Sequence, residues 1–138
     1  MEGPDAVWAE TTDGGLLRQL FGYYPTLHDA QILSFDIRRK DSSAEMVVDY
    51  TDLAEEGEKG DVSVRMRLLW AGVKSFDLPL EEQSLFGVSF DRDEENNLVT
   101  RIETWPNVFG FIVSESFEAI LVQADPLEGD QPFRIRYT

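Results

Sequence analysis

The sequence predicts an α+β fold: a mostly antiparallel β-sheet of about seven or eight short strands, with one N-terminal helix packed on it. Three observations carry this expectation. Short runs of alternating apolar and polar residues follow one another directly, beginning with Leu33, Phe35 and Ile37 against Ser34, Asp36 and Arg38. Polar turn groups such as Lys40-Asp41-Ser42-Ser43 separate them. A helical apolar stripe occurs once, near the N-terminus. A β-sandwich or a partly closed barrel is the alternative arrangement of the same strands.

Residues 1–10 read as a loose or edge segment whose Val7 and Trp8 can dock on a core. Gly14–Phe21 follows as a helix. Leu16, Leu17, Leu20 and Phe21 fall on one side of it, and Thr12 or Asp13 can cap its free N–H groups. Gly22 can take the left-handed conformation that ends a helix, and Pro25 forbids continuation.

Residues 31–39 and 44–52 form the first expected hairpin, with Met46, Val48 and Tyr50 as the second apolar set. A loop over residues 40–43 pairs Arg39 with Ala44, Ile37 with Met46, Phe35 with Val48 and Leu33 with Tyr50. On the other face it sets Arg38 opposite Glu45. After a charged loop at 55–61 comes the cleanest alternation, Val62, Val64, Met66, Leu68 and Trp70. In a meander its Arg65 and Arg67 share a face with Asp49. Ala71-Gly72-Val73 turns the chain into a short strand over 75–80, stopped near Pro79. Further strands are expected over 84–90, 98–105, 109–114, 117–123 and 133–137. A polar turn at 91–97, a break at Pro106-Asn107 and a loop over 125–132 lie between them.

A chain of 138 residues is one domain spanning 1–138 by length, and 42% hydrophobic residues suffice for a core despite the charge. Cysteine is absent, which excludes disulfides and thiolate chemistry. The Met1-Glu2-Gly3-Pro4-Asp5 start is acidic where a secretory signal is basic, and no apolar run reaches membrane-spanning length. The expectation is a cytoplasmic protein. Twenty-seven acidic against twelve basic residues leave a net charge of −15. That field repels nucleic acid and attracts basic proteins. On composition alone it is first a solubility device.

No phosphate-binding glycine loop and no nucleophile elbow are present. With one histidine and no cysteine, a zinc site would need an uncommon carboxylate-rich ligand set. Asp93-Glu94-Glu95 lacks the ligand spacing of a calcium loop. No metal, cofactor or catalytic residue is therefore expected. His28 beside Asp29 is the one candidate acid–base pair. Neighbours on an extended segment point to opposite faces, so backbone hydrogen bonding at a corner explains the pair more simply.

Phe21-Gly22-Tyr23-Tyr24-Pro25-Thr26-Leu27-His28-Asp29-Ala30, followed by Gln31-Ile32-Leu33-Ser34, is the most specific stretch. It resembles the start of a bacterial immunity-protein family of polymorphic toxin systems, immunity protein fifty. In that family a helix ending in Phe-Gly precedes an aromatic-Pro-x-x-His-Asp-Ala run and a strand. Gly22, Tyr24, Pro25, His28 and Asp29 carry the likeness, as residues that hold the fold. The resemblance implies a cytoplasmic protein that binds and neutralises a cognate toxin domain, without chemistry of its own.

Acidity fits a basic target such as a nuclease, with contacts expected from Glu55, Glu56, Glu58 and Asp61 in one loop and Asp91, Asp93, Glu94 and Glu95 in the other. Pure solubilisation is the alternative role of both loops. Two other functions are weighed. A small enzyme or ligand-binding domain centred on His28 and Asp29 requires a concave pocket holding both. An adaptor would add a partner strand to an open sheet edge.

Overall fold

The computed structural model describes residues 4–21, 24, 27, 28, 30–52, 62–78, 85–104, 108–124 and 134–137. Two helices, α1 (Pro4–Ala9) and α2 (Gly14–Phe21), precede β1 (Gln31–Arg38), β2 (Ser43–Asp52), β3 (Val62–Ala71) and β4 (Ser75–Asp77). They are followed by β5 (Leu85–Arg92), β6 (Leu98–Thr104), β7 (Val108–Ser114), β8 (Ser116–Ala124) and β9 (Arg134–Tyr137). The expected α+β class holds, with mostly antiparallel strands in two sheets and no closed barrel. One sheet has the order β8-β3-β2-β1-β9 and the other β4-β7-β6-β5. Among the described residues the one parallel pairing is β1 with β9.

From Pro4 onward the N-terminal segment is not loose, and Trp8 docks on the core as expected. Pro4–Ala9 is a helix, and Trp8 on it is 2% exposed. Proline suits a helix's first turn, where its missing N–H has no partner to lose. Trp8 meets Phe90 of β5 and Phe117 of β8 edge-on at 5.7 and 5.4 Å. The helix therefore bridges an edge of each sheet, which alternation alone could not reveal. Thr11 Oγ1 donates to the Trp8 carbonyl.

α2 has the bounds the sequence predicts, but Thr12 and Asp13 bind β8. The Asp13 N–H donates to the Ala119 carbonyl at 3.2 Å, and its carboxylate accepts from the Leu121 N–H at 2.6 Å. The Thr12 N–H donates to Glu118. These bonds cover the outer edge of β8, which would otherwise offer bare backbone groups. Leu17 is fully buried, and Phe21 packs edge-on against Tyr50.

The first hairpin corrects its expected register. The loop has four residues but comprises 39–42, so Arg38 pairs with Ser43, Ile37 with Ala44 and Phe35 with Met46. Ser42 closes it by taking a left-handed φ of 51° and donating its N–H to the Arg39 carbonyl. The shift is two residues along the pairing, so both faces survive from residue 34 to 38. A bulge between Ile32 and Ser34 then changes the register, and Ile32 and Leu33 are both buried. β3 follows expectation: Val64, Met66, Leu68 and Trp70 are all buried, and Arg65 lies opposite Asp49.

Two connections switch sheets at one corner. β3 passes to β4 through residues 72–74, and β7 passes to β8 through Glu115. Gly72 has a φ of 63°, a conformation that costs glycine nothing. The Glu115 N–H reaches the Ala71 and Gly72 carbonyls, and the Lys74 N–H donates to Val113 at 2.7 Å. The corner folds one sheet over the other. Residues of both sheets and both helices form one apolar cluster.

Trp70 of the first sheet donates its indole N–H to Thr100 Oγ1 of the second at 2.8 Å. Thr104, on the same face of β6, is also fully buried, but its hydroxyl has no partner among the described residues. The same substitution should therefore act in opposite directions. In urea unfolding, Thr100→Val should lose about 1–3 kcal/mol by orphaning the indole N–H. Thr104→Val should be neutral or gain about 1 kcal/mol by removing an unpaired hydroxyl.

Candidate partner-binding surface

The outer faces of the two sheets differ. On the five-stranded sheet the charges pair off. Arg65 forks onto Asp49 at 2.7 and 2.9 Å, and Arg67 onto Glu45 at 2.8 and 3.1 Å. Arg38 also reaches Glu45, at 3.6 Å. The expected Arg38–Glu45 attraction is thus present, made diagonally because Asp36 occupies the position opposite Glu45. The hydrogen bond from Arg67 holds the Glu45 carboxyl below its ordinary range, against the opposing effect of its burial.

The four-stranded sheet turns the larger apolar side chains outward on β7. Phe109 and Phe111 are 40% and 42% exposed, while Gly110, Ile112 and Ser114 face the core. Crowding explains the inward choice. A Cβ on Gly110 would come within 2.7 Å of Leu78 Cδ2 and 2.9 Å of the Asp77 carbonyl, so this position admits no side chain. With Gly110 inward, alternation sends Phe109 and Phe111 to solvent.

Phe111 lies between Asp77 on β4 and Arg101 on β6, and Arg101 is followed across the sheet by Ser89. The Arg101 guanidinium sits 4.2 Å from the Phe109 ring centroid and 3.3 Å from Glu103. Val99 and Val113, half-buried neighbours in register, extend the apolar strip toward Asp91. The result is an apolar centre with a charged rim, the arrangement typical of a protein interface.

The β5–β6 turn stands at the end of this strip. Asp91, Asp93, Glu94 and Glu95 are all exposed. Asp93 organises the turn: its Oδ1 accepts the Glu95 and Asn97 N–H groups at 3.0 and 2.9 Å. Asn96 has a left-handed φ of 64°, and the Asp91 carboxylate accepts from the Arg92 N–H. Glu94 and Glu95 are left as the outward charges. Beside the turn a cleft of about 280 Å³ lies between Val7 and Glu10 on one side and Phe90, Asp91 and Leu98 on the other. The expected acidic loop at Glu55, Glu56, Glu58 and Asp61 lies outside the described residues.

The histidine motif is divided in the same way. Gly22, Pro25 and Asp29 lie outside the described residues. Tyr24 is half-buried under the Arg18 guanidinium, 5.4 Å from its ring centroid. His28 is exposed at a turn and lines neither described cavity. Leu27 and Ala30 are fully buried, and the Ala30 N–H donates to the Leu27 carbonyl. Leu27 does this at a φ of 64°, a strained conformation for a bulky residue that nothing in the sequence announces. Ala30 in turn accepts from the Leu85 N–H, tying the start of β1 to the start of β5. No group of three or more metal-ligating side chains occurs among the described residues. No described helix is long and apolar enough to cross a membrane.

Among known proteins the chain matches no family model, no curated protein and no solved structure. The likeness to immunity protein fifty therefore rests on the residues at 21–34 alone.

Because the Glu45 pKa is depressed on folding, its ion pairs stabilise the protein above the unfolded glutamate pKa. That stabilisation is lost as pH falls through the folded value. Glu45→Gln should cost about 1 kcal/mol at neutral pH and flatten the acid limb of stability measured by denaturant titration across pH.

Proposed function

We propose that this chain is an immunity-type inhibitor, binding and neutralising a cognate toxin domain by protein–protein contact with no catalysis of its own. The observation that carries the reading is the outward pair Phe109 and Phe111. The protein keeps two phenyl rings in solvent on the middle of a sheet face, at 40% and 42% exposure, where a partner can desolvate them. The acidic turn at the end of the strip supplies the long-range part. With a net charge of −15, the chain attracts a basic domain and repels nucleic acid. A nuclease whose substrate-binding surface is basic is the toxin class this charge suits, and the cytoplasm is where such protection acts. The motif at residues 21–34 supports the same class.

The test is co-expression with the C-terminal domain of a polymorphic toxin encoded beside this gene. Growth should be restored and the two proteins should co-purify. Phe109→Ala and Phe111→Ala should leave the urea midpoint nearly unchanged while weakening binding about tenfold or more each. Glu94→Lys with Glu95→Lys should slow association and reduce its salt dependence. Unchanged affinity in both phenylalanine variants would remove the sheet face from the interface. Failure of the wild-type chain to restore growth or bind would overturn the inhibitor reading.

A further inference from the structure

Twelve basic residues are scattered through an acidic chain, yet three of them line one concavity. It lies where the β1–β2 turn meets the corner between β3 and β4, and has a volume of about 370 Å³. Arg38, Arg39 and Lys74 supply its charge. Ser42, Ser43 and Ser75 add hydroxyl groups, and Val73 and Phe76 are among its apolar walls. The described lining contains no carboxylate.

The two walls are joined by a backbone bond. The Val73 N–H donates to the Ser42 carbonyl at 2.8 Å, so the turn and the corner hold the cavity's sides in place. Ser42 keeps its left-handed φ of 51° there. Among the described residues Arg38 pairs with Glu45 at 3.6 Å and Lys74 with Glu115 at 3.1 Å. Both cations are about half exposed, and such pairs are weak enough to yield to a ligand. Arg39 is exposed and forms no ion pair among the described residues. Arg39 thus adds a third cation to the same lining.

We propose that this concavity is a binding site for a small organic anion, a carboxylate or phosphate monoester carried on a short apolar body. Arginine offers a planar donor fork to either headgroup, lysine a point charge, and serine hydroxyls complete the shell. Val73 and Phe76 receive the apolar body. The volume lies at the small end of the range for ligand pockets, roughly 300–1,000 Å³. The proposal is independent of the partner reading: of its lining only Ser75, paired with Val113, shares the Phe109–Phe111 face, and Arg38, Arg39 and Lys74 are not part of the partner surface described above.

The experiment titrates the full chain with phenyl phosphate, benzoate, inorganic phosphate and neutral benzyl alcohol, followed by amide nitrogen–proton spectra. Saturable shifts are expected at residues 38–43 and 73–76 with the two aromatic anions. Inorganic phosphate should bind more weakly and benzyl alcohol should not bind. The stronger of the two anions identifies the headgroup. Arg39→Gln should keep the wild-type melting temperature and lose about tenfold in affinity. Arg18→Gln, on α2, should bind like the wild type. Non-saturating shifts spread over Arg18, Arg92 and Arg101 would overturn the proposal, as would equal affinity of Arg39→Gln and the wild type.

Discussion

Trp70 stands between the two sheets, and its indole N–H reaches across the core to Thr100. Around it the aromatic rings form a chain. Phe35 lies 6.4 Å and Phe117 5.3 Å from the Trp70 ring, Phe90 lies 4.8 Å from Phe117, and Trp8 touches both Phe90 and Phe117. These rings come from α1, β1, β3, β5 and β8, so one cluster holds the helix and both sheets. Burial of large aromatic surfaces supplies the non-directional attraction. The Trp70–Thr100 bond adds direction, because misplacing either sheet leaves a buried N–H without an acceptor.

The corner at Gly72 and Glu115 is the second constraint. β3 continues into β4 and β7 into β8, so the strands that pair in one sheet lead into strands that pair in the other. The bend brings the apolar faces together without a long connection. It leaves open edges at β8 and β5, and α1 with Trp8 occupies the seam between them. Asp13 and Thr12 then cover β8 with hydrogen bonds. The N-terminal residues thus complete the barrier between core and water.

The surface follows from this packing. Once Leu78 and the Asp77 backbone crowd Gly110, β7 can admit only its slimmer side inward. Phe109 and Phe111 are left to solvent beside an acidic turn, whereas the opposite sheet satisfies its charges internally through Glu45, Asp49, Arg65 and Arg67. The first sheet carries the forked ion pairs, with Val122 exposed near its edge, and the second carries the exposed phenyl rings on an inner strand. The basic protein partner proposed above would meet the phenyl rings on the second face and the negative field of the chain.

Much of this fold is legible in the sequence because β-alternation is a local property. Val64, Met66, Leu68 and Trp70 identify their buried side without knowledge of any neighbour, whereas the α2 stripe does so only in part: Leu17 is buried and Phe21 half-buried, but Leu16 is 42% exposed. Charge likewise follows from composition, and with it the sign of the field around the acidic turn. Three decisions required tertiary structure. Trp8 needed the gap between two sheet edges before its short helix had a place to pack. The hairpin register depended on Ser42, whose left-handed turn is anchored to Val73 on another strand. The outward rings of β7 reverse what side-chain hydrophobicity alone suggests, because Leu78 decides which face has room. Local pattern determines which strands form and the sign of the surface charge. Only packing between distant segments decides which apolar face is buried and which remains available to a partner, because that choice depends on space that no local pattern records.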